Sequence, residues 1–356
     1  MRGQERAGVR EEIAMIERRQ LLEHAKSHEA TDIHICADAP ILARIAGDLV
    51  PITREVLTAE QSAQLALDML NEKQRAQFET ELDYDLMLAD DAGRYRINIG
   101  YFNGGIGATI RILPTRPMTI DELQLPATVS DLASRTKGMV LITGSTSQGK
   151  TTTMSAMIDH INTNCKRHII TIEDPIEYVH TNRAGVVRQR EIGRDTKTFH
   201  TGLRAALRQD PDIIAIGEMR DYETIKIALT AAETGVLVLS TLHVISIDKM
   251  IERLLSYAPS SDESQLRYLL AESLQGVIHQ ELLPTVDDQR RVASEILVVT
   301  SAAKNIIRRK GGFMLRSVIE TGRKHGMQTM VDAINDLLEK KVISEAVAKS
   351  VLVNYE

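Results

Sequence analysis

One short motif restricts the possible folds of this chain more than any other feature. The stretch Gly144-Ser-Thr-Ser-Gln-Gly-Lys-Thr151 matches the spacing G-x-x-x-x-G-K-[ST], and it stands between the apolar run GMVLIT and a segment with helical spacing. Glycines at these positions let successive backbone N–H groups point inward at phosphate oxygens, and the N-terminus of the following helix adds positive potential. The pattern therefore predicts a strand, a phosphate-binding loop and a helix, in that order.

The side chains of this loop have predictable roles. We expect Lys150 to reach the β and γ phosphates of a nucleotide and the hydroxyl of Thr151 to coordinate Mg²⁺. The predicted nucleotide-binding residues are Gly144, Ser145, Thr146, Ser147, Gln148, Gly149, Lys150, Thr151 and Thr152. Ser147 and Gln148 stand where such loops are usually richer in glycine. Both keep their backbone N–H groups, so phosphate binding is expected, but they restrict the loop's backbone angles, which can slow turnover.

Acidic residues follow two other apolar runs. ITIEDPIEY contains Glu173, Asp174 and Glu177, and DIIAIGEMRD contains Glu218 and Asp221. An acid directly after a buried strand can hold Mg²⁺ through water, and a second acid can orient the attacking water. The sequence therefore predicts a hydrolytic magnesium site, in which the Thr151 hydroxyl and one of these carboxylates hold the metal.

A histidine and several arginines complete the candidate site. His243 ends the apolar run GVLVLSTLH, and Arg94, Arg96 and Arg111 lie in strand-like segments nearer the N-terminus. ATPases that act as rings need cations that one subunit supplies to the γ-phosphate bound by its neighbour. These arginines are the candidates for that role, and His243 is a candidate for contact with the γ-phosphate region.

Two domains are predicted. Residues 1–112 combine a helix at Glu11–Ala30, strands with a turn at Gly47-Asp48, and one amphipathic helix over Leu57–Thr80 that Thr58 caps, which together indicate a small α+β domain with an antiparallel sheet. Residues 113–126 contain three of the nine prolines and are predicted to be a linker.

The second predicted domain spans residues 127–356. Its runs GMVLITG, HIITIEDP, DIIAIGE and GVLVLSTLH alternate with helical segments. Such runs are typical of strands buried on both faces of a mostly parallel sheet, so we expect an α/β fold. From about Asp262 onward we expect mainly helix. The amphipathic stretch from Met330 to Val351 is expected to pack within its own domain.

Composition excludes several classes of function. The formal net charge is −6, only 3% of residues are aromatic and Trp is absent, which argues against a nucleic-acid-binding protein such as a DNA translocase. The two cysteines lack CxxC spacing, as expected of a reduced, cytosolic protein without structural zinc. Because no run of 18 apolar residues occurs, work at a membrane would require docking on other proteins.

Four longer segments carry a resemblance to a known family. HIITIEDPIEYVH looks like an Asp box, LRQDPDIIAIGEMRDYETI like a Walker B region, ALTAAETGVLVLSTLH like a His box, and GMQTMVDAINDLLEKKVIS like a family C-terminal segment. In this order they resemble the PilT-like type IV pilus retraction ATPases of the secretion ATPase superfamily. The resemblance extends from about Thr31 to the C-terminus.

This resemblance implies a RecA-like ATPase domain with a smaller PAS-like N-terminal domain, and ATP and Mg²⁺ as cofactors. By motif position, Glu177 would activate water, and Glu218 would be the Walker B acid that holds or positions Mg²⁺ beside Thr151. His243 would be the His-box histidine. Which of the two glutamates is the base stays open. Arg96 and Arg111 look like the pair that reaches the γ-phosphate of a neighbouring subunit.

The resemblance also implies a set of partners. These are five further copies in a homohexamer and an inner-membrane pilus platform protein, with a paralogous pilus ATPase as a further candidate and no nucleic acid. The expected location is cytoplasmic, at the inner face of the cytoplasmic membrane. The absence of the N-terminal region and four-cysteine zinc motif of the extension and type II secretion ATPases favours retraction.

The sequence departs from the family pattern at several positions. Ser147-Gln148 replaces Gly-Ser, Gly104 stands where an arginine is common, and Ala302–Lys310 reads AAKNIIRRK in place of AIRNLIRE. Two alternatives therefore remain. One is a type IVB secretion or conjugation ATPase with the same core. The other is a weakly active paralogue that assists a stronger pilus motor.

Overall fold

The computed structural model describes residues 18–28, 30–45, 47–90, 93–287, 289–309 and 314–355, and the chain divides into two compact units between Thr115 and Arg116. This division falls inside the segment 113–126. The elements of the first unit are α1 (Arg18–Ser27), β1 (Asp32–Ile35), β2 (Leu42–Ile45), β3 (Asp48–Pro51), α2 (Ala59–Leu67), α3 (Glu72–Glu81), β4 (Asp83–Asp90), β5 (Gly93–Phe102) and β6 (Gly105–Leu113).

The first unit is built on a six-stranded antiparallel sheet in the order β3-β2-β1-β6-β5-β4. Successive side chains of a strand point to opposite faces. Ile33, Ile97 and Ile110 belong to the face that is completely buried, together with Phe78 from α3. This α+β unit with an antiparallel sheet agrees with the prediction for the N-terminal part of the chain.

Three details of the first unit differ from the predictions or lie outside the described residues. The helix predicted over Leu57–Thr80 is two helices, because Asn71 and Gln74 form a second capping box after the predicted one at Thr58. Asp48 pairs with Ile45 and so begins β3; it is not a turn residue. Of the helix predicted over Glu11–Ala30, the part before Arg18 lies outside the described residues.

The elements of the second unit are α4 (Ala127–Ala133), β7 (Gly138–Thr143), α5 (Lys150–Asn164), β8 (His168–Glu173), β9 (Val186–Glu191), α6 (Phe199–Ala206), β10 (Ile213–Glu218), α7 (Tyr222–Glu233), β11 (Leu237–Leu242), α8 (Ile247–Leu255), α9 (Glu263–Ser273), β12 (Leu274–Pro284), β13 (Arg290–Val298), α10 (Ser301–Arg308), α11 (Leu315–Thr321), a 3₁₀ helix (Arg323–His325), α12 (Met330–Glu339) and α13 (Glu345–Leu352). The four apolar runs of the sequence form β7, β8, β10 and β11, as predicted.

The sheet of the second unit has seven strands in the order β13-β12-β7-β11-β10-β8-β9. All neighbouring strands are parallel except β12 and β13. Because β7, β11 and β10 are adjacent and parallel, the residues that follow them meet at one edge of the sheet. In open α/β sheets this carboxyl edge is where ligands bind.

Both faces of this sheet are covered. Along β7, Met139 and Leu141 belong to one hydrophobic cluster, while Val140 and Ile142 belong to another. The helix α5 contributes to the second cluster through residues that include Met157. Burial on both faces explains why these strands are uninterrupted apolar runs in the sequence, as expected for a parallel sheet.

Helices are the larger part of the described structure after Asp262, as expected, but two long strands in this region were not predicted. β12 and β13 follow α9 directly and form 11- and 9-residue strands, and β12 is the neighbour of the strand that precedes the loop. Two fully buried positions of β12 carry His279 and Gln280. These polar residues interrupt the apolar run that would otherwise identify a buried strand.

The C-terminal helices α12 and α13 pack within their own unit, as predicted. Their buried residues, including Ile334 and Ala348, form a cluster with Leu283 of β12 and Ala293 of β13. No helix in the described part of the chain combines the length and the apolar character that crossing a membrane requires.

Candidate nucleotide-binding site

The loop between β7 and α5 has the backbone shape expected of a phosphate-binding loop. Gly144, Ser147 and Gly149 have positive φ angles of 148°, 64° and 78°. A Cβ atom on Gly144 would lie 2.6 Å from the carbonyl oxygen of Gln280, so only glycine fits there. Ser147 adopts the left-handed conformation without being glycine.

Lys150 lies at the first position of α5 with its amine turned back over the loop. Its Nζ donates to the carbonyl oxygens of Gly144, at 2.9 Å, and Ser145, at 2.5 Å, and it lies 3.2 Å from Nδ1 of His243. Burial lowers the pKa of Lys150, and the charge of Glu218 acts in the opposite direction. A buried cation at the start of a helix is suited to bind phosphate oxygens.

His243 connects Lys150 to Glu218. Its Nε2 lies 3.3 Å from Oε2 of Glu218, and the same carboxylate oxygen accepts from the guanidinium of Arg220 at 2.7 Å. Because an ammonium group can only donate hydrogen bonds, Nδ1 of His243 is the acceptor in its contact with the Lys150 ammonium. The ends of β7, β10 and β11 thus bring three predicted site residues, Lys150, His243 and Glu218, into one chain of polar contacts.

The segment that carries Glu177 docks against the first turns of α5. The Tyr178 hydroxyl lies 2.9 Å from the hydroxyl of Thr152, and Nε2 of His180 lies 3.2 Å from that of Ser155. Burial raises the pKa of Tyr178 and lowers the pKa of His180 to about 4. The structure therefore places Glu177, which is half-buried, one residue from a direct contact with the loop helix.

The other predicted carboxylates have different surroundings. Glu173 is buried and accepts hydrogen bonds from Thr171 and Gln189. Asp221 caps α7 by accepting from the backbone N–H of Thr224. Asp174 is exposed, and its charge contributes to raising the pKa of Arg220, after the larger effect of the hydrogen bond from Arg220 to Glu218.

The residues present fit a magnesium ion. Thr151 lies in the first turn of α5 and Glu218 ends β10, so a hydroxyl and a carboxylate both lie at the carboxyl edge of the sheet. In the described ranges, no cluster of three or more His, Cys, Asp or Glu side chains is arranged as a metal site. A sparse set of oxygen ligands suits Mg²⁺, which keeps most of its waters and binds substrate phosphates.

Arg96 and Arg111 lie in the first unit, on neighbouring strands. They are directly opposite each other in the pairing of β5 and β6, and so share one face of the sheet. Arg111 donates from Nε to Oδ1 of Asp32 at 2.9 Å, while 63% of its side chain stays exposed. Arg94 is two residues along β5, opposite Leu113. Arg96 and Arg111, which were predicted to act together, are therefore neighbours on one face of the sheet.

Three residues of this site were not identified from the sequence. Arg220 stands two positions after Glu218, and Tyr178 stands directly after Glu177, so both lay beside residues that were identified. Gln280 contacts the loop from β12, which was not predicted to be a strand. Recognition of β12 as a strand would have been needed to place Gln280 at the loop.

Comparison with known proteins identifies the family. A family model described as "Type II/IV secretion system protein" matches residues 9–352. The chain is 41% identical over 331 residues to the type IV pilus retraction ATPase PilT of Pseudomonas aeruginosa, covering 93% of this chain and 96% of that protein.

Two solved structures match over nearly the whole chain. The crystal structure of the pilus retraction motor PilT with bound ADP has a TM-score of 0.86 at 38% identity, covering 94% of this chain and 97% of that one. The Legionella pneumophila ATPase DotB has a TM-score of 0.83 at 30% identity, covering 94% and 95%. The chain therefore belongs to the type II/IV secretion system protein family, and within it to the PilT-like ATPases.

Proposed function

We propose that this protein is an ATP-hydrolysing motor that drives the retraction of type IV pili. The observation that carries the ATPase part is the chain Lys150–His243–Glu218 beside a correctly shaped loop. The retraction part is supported by similarity to nearly the full length of a pilus retraction ATPase.

The residues of the site have different roles in the proposed reaction. The loop N–H groups and Lys150 bind the phosphates, and Thr151 and Glu218 hold Mg²⁺, which when bound neutralises charge on the β and γ phosphates. Glu177 and Glu218 are the two candidates for the base that takes a proton from the attacking water. His243 positions the Lys150 amine and the Glu218 carboxylate relative to each other.

We assign Arg96 and Arg111 to the γ-phosphate of a neighbouring subunit. A guanidinium that approaches from another subunit stabilises the charge of the transition state. This requires a ring, for which we propose a homohexamer docked on a membrane platform protein at the cytoplasmic face of the inner membrane. Arg111→Ala should then reduce turnover in the assembled ring, and normal turnover would contradict the assignment.

The first experiment is phosphate release from Mg-ATP by the purified protein, with Lys150→Ala as the matched blank. Removal of the lysine amine should abolish turnover, because no other side chain of the loop carries a positive charge. Binding of ATP without release of phosphate would contradict the motor and favour the assisting paralogue.

A type IVB secretion or conjugation ATPase is the second candidate, because DotB has nearly the same fold over the same length. Both candidates predict ATP turnover, so a phenotype must separate them. Deletion of the gene should leave surface pili that no longer retract, and twitching should stop. Normal twitching together with loss of conjugation or of protein secretion would favour the second candidate.

A further inference from the structure

The loop is attached to β12 through Gln148, one of the two loop residues that depart from the family pattern. Its carbonyl oxygen accepts from the side-chain amide of Gln280, and its side-chain oxygen accepts from the backbone N–H of Leu282, both at 2.5 Å. Gln280 is completely buried, so its amide reaches the loop from the protein interior. One residue of the loop is thereby hydrogen-bonded to two positions of β12, Gln280 and Leu282.

This attachment is possible because β12 is longer than β7. The parallel pairing of the two strands ends where His279 lies opposite Thr143, and β12 continues to Pro284. Beyond that point the loop runs beside β12 in place of a strand. The glutamine side chain supplies the acceptor for Leu282, and a serine side chain would be too short to reach it by the same path.

The attachment also sets the orientation of a peptide group in the loop. In a trans peptide the C=O and the next N–H point in opposite directions. Because Gln280 holds the Gln148 carbonyl, the N–H of Gly149 points away from Gln280. In a phosphate-binding loop this N–H belongs to the set that surrounds the phosphates.

Ser147, the other loop residue that departs from the family pattern, has a backbone conformation that such an attachment would stabilise. Its φ of 64° is a conformation that glycine adopts freely and that serine adopts only with strain. Without a compensating contact, the loop would lose part of its population in the phosphate-binding shape.

We propose that Gln148 is a positioning residue that compensates for Ser147: its bonds to β12 hold the loop in the shape that a glycine at position 147 would permit without strain. The two departures within the loop, Ser147 and Gln148, then form a matched pair. This inference rests on nucleotide binding by the loop, as proposed above, and specifies how this chain keeps a working loop.

A double-mutant cycle tests the pairing. Gln148→Met keeps the length of the side chain and removes the acceptor oxygen, and Ser147→Gly removes the strain. ADP binding is measured by calorimetry for the unchanged chain, both single variants and the double variant. Gln148→Met alone should weaken ADP binding roughly five- to tenfold, as expected for one lost hydrogen bond. In the Ser147→Gly background the same change should weaken it by less than about twofold.

Equal losses in both backgrounds, or no loss in either, would overturn the proposal. Steady-state ATP turnover supplies a second readout, in which Gln148→Met should raise KM while kcat changes little. If Gln148→Met does not fold, Gln148→Ser provides the same cycle. Lack of ATP turnover together with the predicted ADP pattern would count against the proposed motor and would still support the pairing.

Discussion

A half-buried carboxylic acid makes the stability of the ATPase unit depend on pH. Glu295 of β13 faces a cavity of about 690 Å³. Burial raises its pKa from 4.5 to about 7, and the charges of Asp248 and Glu320 add to the increase. The backbone N–H of Met330 and the charge of Arg316 oppose it. The acid is therefore held in a place where its charged form is disfavoured.

The sign of the effect follows from proton binding. Between pH 4.5 and 7 the folded chain holds a proton at Glu295 that the unfolded chain has released, so the free energy of unfolding falls as pH rises through this range. Above about pH 7 the loss is complete. Because a tenfold change in an equilibrium is worth about 1.4 kcal/mol, a pKa moved from 4.5 to about 7 corresponds to about 3 kcal/mol.

Glu295→Gln should remove this loss. Glutamine has the shape of the protonated acid and carries no charge, so the variant should be more stable than the unchanged chain by up to about 3 kcal/mol at pH 8. At pH 5 the difference should shrink below about 1 kcal/mol, because Glu295 is then protonated in the folded chain.

The measurement is urea unfolding of both proteins at pH 5 and pH 8, followed by circular dichroism. Glu339→Gln is the matched control, since it makes the same change of charge at an exposed position at the end of α12. A stability difference for Glu295→Gln that is the same at both pH values would refute the reasoning, as would an equal pH-dependent gain in the control.

Three further changes test the site itself. Gly144→Ala should abolish ADP binding in calorimetry, because the added Cβ would meet the Gln280 carbonyl oxygen at 2.6 Å; retained binding would show that β12 can move away. Tyr178→Phe removes the hydroxyl that contacts Thr152, so kcat should fall about fivefold with KM unchanged. An unchanged kcat in steady-state assays would show that this contact does not position Glu177. Burial lowers the pKa of His180 from 6.5 to about 4, so the unchanged chain should lose up to about 3 kcal/mol of stability as pH falls through this range. Urea titrations should show a smaller loss for His180→Gln. An equal loss would mean that other groups cause the sensitivity to acid.

The sequence alone predicted the parts of this protein that depend on local patterns. The loop, the four apolar strands and the two classes of domain follow from spacing along the chain, because a strand buried on both faces and a phosphate-binding loop each have a recognisable local composition. The family was predicted from the resemblance of four longer segments to known proteins. The capping box at Thr58 was predicted for the same reason, and the structure confirms it.

The remaining features of the fold and the site depend on contacts between residues that are far apart in the sequence. Asp221 and Glu218 look equivalent in the sequence, but the fold uses one as a helix cap and places the other beside His243. Strands β12 and β13 could not be identified by composition, because β12 carries buried polar residues whose partners are distant in the chain: His279 lies 3.1 Å from the hydroxyls of both Thr143 and Tyr355.

The attachment of the loop to β12 shows the same difference between what a local pattern reveals and what the tertiary structure reveals. From the sequence, Ser147-Gln148 is a departure that weakens a phosphate-binding motif. In the folded chain, Gln148 contacts residues more than a hundred positions away, at Gln280 and Leu282. A local pattern can show that a loop exists, because its backbone angles depend on neighbouring residues. Only the tertiary structure shows what holds the loop in shape, because the groups that do so come from a strand that the chain reaches much later.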